Sequence, residues 1–569
     1  MNSYVNNIHD FFFTLATQTI SYARRDMSPY ILFILSVLLY CLYIPLMQPS
    51  MVLDGEMWAE MATNYFYYAS SPSLRVKLFS IDAGYIPMPQ RLIAALGNLM
   101  HLSARTIPYF YSWSAIILTG SMVATFCLKP FRVLVKNDYL RFFAVIAILI
   151  IADVETRTFI NFTYFGIFLI SIITALAIVD RNNEVPSWAW FIPLIMISKP
   201  AAFAAFPAMI FAAIVSKPRF RVITILTAIA CIIQLIRVYL SYSSGVLQPS
   251  NDFTIYDKLY AFAHYSLGFL GLYFFRGLAG TALPVLIFIG LGLLTLCGIV
   301  LTRNKKNASA LIIVGLGLLF FNVLLNVFAL SDTWNLDMAP LAAAPLYRHI
   351  IVSYFGVILI VLGLICSLTS VGFLNHNSRN YIAPLLFVFW FWASGWLAFA
   401  GALNRAPPSP ITGNSQWQKM ATAIDMGDSL CVPINPLGWI YGRNCQLLNQ
   451  EDPKGKPIVY EESTTKAFTI EIPPSISSRT LISLAMLIKP YSMAQTPISG
   501  ELELIMNDGT IKYMIGSNKL PSTGGLLMFT SHGEEIAMAE IKRITARLSL
   551  PVTRAYVEAT TPAILWLGR

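Results

Sequence analysis

Apolar runs close to the length of a membrane span recur along the chain up to about residue 401, and they constrain the fold more than any other feature. A bilayer core takes roughly 20 apolar residues per helix. A chain with many such runs must bury them in lipid or against one another. Hydrophobic residues make up 56% of the 569 residues and charged residues only 12%. Mean hydropathy is +0.63. A soluble surface for a chain of this size needs more charge, so the expected class is a polytopic α-helical membrane protein.

Formal net charge is +10. In a soluble domain that excess would suggest nucleic acid. Here Lys and Arg fall between apolar runs, as the positive-inside rule requires of cytoplasmic loops, and no nucleic-acid partner is expected. Residues 2–23 lack the basic start and clean apolar core of a cleavable signal. Phe11, Phe12 and Phe13 with Arg24 and Arg25 read as a cytoplasmic interfacial segment over 1–29, or as a disordered tail.

Basic residues then orient the chain. Arg24 and Arg25 place the N-terminus inside. Lys129, Arg132, Lys136 and Arg141 mark one inner loop, Lys217, Arg219 and Arg221 a second, and Arg303, Lys305 and Lys306 a third. A transmembrane domain over 30–401 with about 11 spans follows. It has a long first outer loop at 48–106 and a run at 265–280 that reads as an outer-surface helix, because Arg276 interrupts it. Residues 402–569 contain no span. Alternating stretches at 468–472, 501–506, 511–514 and 555–559, with a hairpin turn at Asn507-Asp508-Gly509, predict a C-terminal, mainly β, periplasmic domain, built as a sandwich. Five of the seven cysteines lie in or beside apolar runs. Cys431 and Cys445 lie in the exported part, where oxidising conditions favour a disulfide over two free thiols.

The first outer loop concentrates acid. It opens Asp54-Gly55-Glu56-Met57-Trp58-Ala59-Glu60, and the four-residue spacing puts Glu56 and Glu60 on one helix face. Trp58, Met61, Tyr65 and Tyr68 follow at helical spacing. Asp82 to Arg91 then precedes a second amphipathic stretch with Leu92, Ile93, Leu96, Leu99 and Met100. Two amphipathic helices beside an acid at the exit of a span suit a catalyst for a lipid-linked substrate. A sugar hydroxyl is a weak nucleophile, and a carboxylate can take its proton as the new bond forms. The alternative is structural: Asp54 caps the next helix and Glu56 favours its dipole.

Cations supply the second half of such chemistry. Arg157, Lys199, Arg276, Arg348 and His349 fall at outer span ends, against the positive-inside trend. A departing phosphate needs no acid if cations hold its charge. Each could instead pair with a neighbouring acid, as Arg157 with Glu155, or snorkel to headgroups. No zinc-ligand spacing, Walker loop or dinucleotide fingerprint occurs. No cofactor is called for, although Asp54, Glu56 or Asp82 are residue types that bind a divalent cation.

The Asp54–Glu60 segment resembles the start of the first periplasmic loop in GT-C-fold glycosyltransferases, among them the lipid A aminoarabinose transferase and the protein mannosyltransferases. The stretch Asp82-Ala83-Gly84-Tyr85 to Arg91 is similar to bacterial members of unassigned specificity. The layout as a whole resembles the O-antigen-modifying glucosyltransferases, which take a sugar from undecaprenyl phosphate. The motif resemblance covers roughly residues 50–100 and rests on topology beyond that. It implies a GT-C-like membrane domain in a bacterial inner membrane. It also implies inverting transfer of a hexose such as glucose from a polyprenyl-phosphate donor to a lipid-linked glycan.

Asp54 matches the family base best, with Glu56 next. Trp58, Glu60, Asp82, Tyr85 and Arg91 would serve donor or acceptor binding. The family's clean Asp-Glu or Asp-Asp pair is missing, which leaves the base open. The rival readings are an O-antigen polymerase or ligase, a lipid-linked-sugar flippase or transporter, and a structural membrane protein. A flippase or transporter would tend to show charges deep within its spans and internal repeats, neither of which is evident.

Overall fold

In a computed structural model, the described residues are 29–82, 84–180, 184–243, 254–279, 282–303, 306–329, 348–369, 376–395 and 417–426, followed after 431 by the strands and short connections given below. The N-terminal interfacial segment, Cys431 and Cys445 lie outside the described residues, and with them the disulfide.

Helices dominate. In chain order they are α1 (Pro29–Met47), α2 (Met88–Leu99), α3 (Ile107–Ala124), α4 (Asp138–Ile151), α5 (Tyr164–Val179), α6 (Phe206–Val215) and α7 (Pro218–Ser243). Then follow α8 (Ile255–Ala279), α9 (Leu283–Thr302), α10 (Lys306–Ala329), α11 (Arg348–Thr369), α12 (His376–Trp390) and α13 (Trp417–Asp425). Six helices among the described residues, α1, α3, α7, α9, α10 and α11, are long and apolar enough to cross a membrane. The shorter apolar helices lie at 164–179, 187–196, 200–215 and 381–394. The chain is therefore a helical membrane protein.

Burial follows from this composition. Helix α5 is apolar on every face, and α5 and α11 form the buried centre of the bundle. Helices α10 and α11 pack backbone to backbone. A Cβ on Gly315 would meet the Gly356 carbonyl oxygen at 2.6 Å, and one on Gly356 would meet that of Gly315 at 2.5 Å. Small residues permit this approach, which supplies dispersion contact where lipid offers no hydrophobic drive. Polar side chains add to it: Asn322 Nδ2 donates to Ser353 Oγ at 2.8 Å, and both Asn322 and Asn326 donate to the His349 carbonyl at 2.9 and 3.1 Å.

The basic connections gather at one end. Phe131 packs on Trp188, Glu184 pairs with Arg219, and Asn307 Nδ2 donates to the Leu134 carbonyl. The loop at 48–106 and the cations Lys199 and Arg348 lie at the opposite end, as the contacts below establish. Residues 265–279 belong to a longer helix, α8, whose Tyr265, Phe269, Leu270 and Tyr273 pack in the core. Gly271 and Gly290 let α8 and α9 pack antiparallel against each other's backbone, through Leu286 and Leu267. Arg276 lies in α8, and its side chain is outside the described residues.

The C-terminal strands are β1 (Val432–Ile434), β2 (Trp439–Tyr441), β3 (Ile458–Tyr460), β4 (Lys466–Ile470), β5 (Thr480–Pro490) and β6 (Thr496–Met506). They continue with β7 (Ile511–Leu520), β8 (Gly525–Thr530), β9 (Ile536–Ala537), β10 (Ile541–Ser549), β11 (Val557–Ala559) and β12 (Ala563–Leu567). β1 and β2 form a ribbon of their own. The rest join in one antiparallel path, β3-β11-β5-β8-β7-β6-β10-β4, with β9 and β12 also on β5. β7 and β8 pair at Ile515 with Thr530, and a Cβ on Gly500 of β6 would touch both Leu548 of β10 and Phe529 of β8. Asn507-Asp508-Gly509 closes the β6–β7 hairpin, with Gly509 at φ +86° and its N–H donating to the Met506 carbonyl at 3.0 Å.

Candidate active site

The acidic first loop is not the helix that its spacing predicts. Gly55 has φ +67°, a region that favours glycine, and Ala59 has φ +43°, which is strained for alanine. Glu56 and Glu60 therefore do not share a helix face. The Glu56 carboxylate accepts the backbone N–H of Trp417 at 3.1 Å and of Gln418 at 3.4 Å, capping α13 from 361 residues away. Asp54 is exposed. Trp58 is half-buried and packs against the apolar cluster that includes Met57, Met61 and Tyr65.

Directly after Glu60 the chain takes a π-helix, Met61–Phe66, in which two successive side chains reach one carboxylate. Asn64 Nδ2 donates to Asp82 Oδ1 and Tyr65 OH to Asp82 Oδ2, both at 2.8 Å. Asp82 is 5% exposed. Its own backbone pairs with Tyr85 in both directions, at 2.8 and 2.9 Å. Arg91, also buried, donates from Nη1 to the Asn64 carbonyl at 2.8 Å and lies over the rings of Tyr65 and Tyr68. Its Nε and Nη2 make no hydrogen bond among the described residues.

Lys199 enters the same cluster from another part of the chain. It sits at the break between the apolar segments 187–196 and 200–215, 5% exposed. Its Nζ donates to Tyr85 OH and, at 3.0 Å, to Asn161 Oδ1. It also faces the rings of Tyr85 and Tyr164, at 4.5 and 5.6 Å from their centroids. The partners satisfy two of its three donors and bring no counter-charge into direct contact.

Burial lowers the Lys199 ammonium to about 8, opposed by the carboxylates of Asp82, Glu60 and Glu155 and reinforced by Arg348. Glu60 shifts the other way. Its carboxyl is raised, chiefly by burial and then by Asp82, while Lys199 and Arg348 pull it down. Burial also raises Tyr85 well above the usual phenol range, so it stays a neutral hydroxyl between Asp82 and Lys199. Glu60, Asp82, Lys199, Arg348 and Glu155 thus form one electrostatic group.

The remaining cations divide. Arg348 pairs with Glu155 and donates from Nε to His349 Nε2 at 3.2 Å, keeping both at the rim of the group. Arg157 turns inward instead. It donates from Nη2 to Tyr43 OH at 3.2 Å and to the Ile150 carbonyl at 2.7 Å, which leaves Glu155 to Arg348. Of the residues expected from sequence, Glu60, Asp82, Tyr85, Lys199, Arg348 and His349 converge. Arg91 stands behind Asp82. Glu56 and Arg157 are engaged elsewhere, and Asp54 is exposed. Asn64, Tyr65, Glu155, Asn161 and Tyr164 complete the group and carried no motif. No family model matches the chain, and no curated protein matches it.

Proposed function

We propose that the chain is a membrane glycosyltransferase that moves a hexose from a polyprenyl-phosphate donor to a lipid-linked glycan, with inversion at the anomeric carbon. The observation that carries this reading is the meeting of a buried cation, Lys199, with two carboxylates in different environments, Glu60 and Asp82. Such transfer makes two demands. The acceptor oxygen must lose a proton as it bonds to the anomeric carbon, and the phosphate oxygen that leaves must have its charge held.

Glu60 meets the first demand. It is half-buried with its carboxyl raised, the profile of a base poised closer to neutral pH. Asp82 is already held by two donors, so its role is to fix Tyr65, Asn64 and the Tyr85 turn. Two carboxylates whose environments differ take different roles. Lys199 meets the second demand, with Arg348 at the rim once Glu155 releases it. In the step itself, the acceptor O–C1 bond forms as the C1–O phosphate bond breaks. The acceptor proton passes to Glu60, and the lipid phosphate departs against Lys199. O-antigen is the acceptor type that the sequence resemblance suggests.

We read α4 and the shorter apolar helices as crossing with the longer ones, giving about 11 spans in a bacterial inner membrane. The basic end is then cytoplasmic, and the site and C-terminal strands are periplasmic. Purified protein in liposomes, given polyprenyl-phosphate glucose and a lipid-linked glycan, should release polyprenyl phosphate. Glu60→Gln should abolish that release at unchanged protein level. Full release from Glu60→Gln would remove Glu60 as base, and none from the parent protein with any polyprenyl-phosphate hexose would remove the activity.

A further inference from the structure

Sequence position marks Glu56 as a catalytic acid, yet its carboxylate is occupied. It receives the first two backbone N–H groups of α13, a helix end whose donors have no partner within the helix. The same helix is fixed at three further points. Trp417 Nε1 donates to the Ala104 carbonyl at 2.6 Å, Ala104 N–H donates to Asp425 Oδ1 at 2.7 Å, and Gln418 Nε2 donates to the carbonyls of Gly55 and Arg105. The Trp417 ring is fully buried and packs edge-on to Phe66 and Tyr441. Phe66 is the last residue of the π-helix that follows Glu60.

The strain in the loop lies between these attachment points. Ala59, left-handed, directly precedes Glu60. A non-glycine residue persists in that conformation only where its surroundings determine it. Here Glu56 holds the chain three residues before Ala59, and Phe66 under Trp417 holds it seven residues after.

We propose that Glu56 and Trp417 are positioning residues: they clasp α13 onto the first loop and thereby set the turn that aims Glu60. The C-terminal part of the chain then acts on the reaction without contributing a reacting group. This rests on reading Glu60 as the base.

Two measurements separate the clasp from that reading. The first needs no activity. In a background with the native cysteines replaced, Glu60→Cys is labelled with a membrane-impermeant maleimide. Because Glu60 is half-buried, labelling should be slow. Adding Glu56→Ala or Trp417→Ala should accelerate it about tenfold, the scale of one lost capping interaction, with Glu56→Gln in between. The milder Gln418→Ala should move it in the same direction, which covers the case in which Trp417→Ala fails to insert. An unchanged rate in Glu56→Ala and Gln418→Ala overturns the clasp.

The second measurement is the pH profile of transfer. Loss of the clasp exposes Glu60 to water, so the acid limb of kcat/KM should move to lower pH while kcat falls about tenfold. A uniform loss of rate with an unmoved acid limb would mean a merely structural contact and overturn the proposal. Faster labelling without any transfer by the parent protein would leave the clasp standing and remove the glycosyltransferase reading.

Discussion

Lys199 gives the most exposed prediction. Its ammonium titrates near 8 rather than at its ordinary 10.5 because burial penalises the charge more than nearby carboxylates repay it. That difference is worth about 3 kcal/mol against the charged form. If Lys199 must be charged to receive the donor phosphate, kcat/KM falls as pH rises through 8. The protonated share drops from about 90% at pH 7 to about 10% at pH 9, so kcat/KM should fall roughly tenfold over that interval. An ordinary lysine would leave it flat. kcat/KM reports the free enzyme, so the bound phosphate does not mask the value.

Lys199→Arg should move the falling limb beyond pH 10, since a guanidinium stays charged, while lowering the rate at pH 7 because its planar fork cannot reproduce the contacts to Tyr85 and Asn161. The assay is release of polyprenyl phosphate from liposomes across pH 6 to 10, with a buffer-matched leakage control. A limb that stays near pH 8 in Lys199→Arg, or a parent profile flat to pH 10, would refute the reasoning. Stability moves in the opposite direction. A lowered lysine destabilises the fold below about pH 8 and is relieved as pH rises toward 10.5, so stability should climb across that window.

Lys199→Met should therefore insert normally and melt higher at pH 7 than the parent, yet lose transfer; a lower melting temperature would contradict the burial cost assigned to Lys199. Asp54→Asn should retain most transfer, because that carboxylate is exposed to water; a loss as deep as that of Glu60→Gln would return the base role to Asp54. Gly356→Ala should lower thermal stability by about 1–3 kcal/mol, read in detergent melts, because its Cβ would meet the Gly315 carbonyl; an unchanged melt would mean that α10 and α11 separate freely. Met100→Cys, more than half exposed, should react with an impermeant maleimide from the periplasmic side alone; labelling from the cytoplasm would invert the topology.

Much of this architecture is written in local pattern. The apolar runs, the basic connections and the Asn507–Gly509 hairpin depend on neighbours in sequence, and each element was legible there. Helix α8 begins earlier, at Ile255, than the apolar run at 265–280 suggests, because its first turns are polar. The site was legible in part. Lys199 and Arg348 drew attention as cations against the trend, and Asp82 and Glu60 as acids in one loop. Their division of labour was not, because it arises from long-range pairing. Glu155 meets Arg348 from 193 residues away, and Glu56 meets Trp417 from 361. Nor does any spacing rule anticipate a π-helix that turns Asn64 and Tyr65 onto one carboxylate.

The separation of Glu56 from α13 also orders events during synthesis. The acidic loop leaves the ribosome early, and its fastener follows 361 residues later. At 5–20 residues per second that is a delay on the order of 20 to 70 s. Through that interval the cations Lys199 and Arg348 would be added one after the other while the acidic loop stays unfastened. On the proposed reading, full competence would arrive only with the last third of the chain, and a product truncated before α13 would keep its acid loop unfastened.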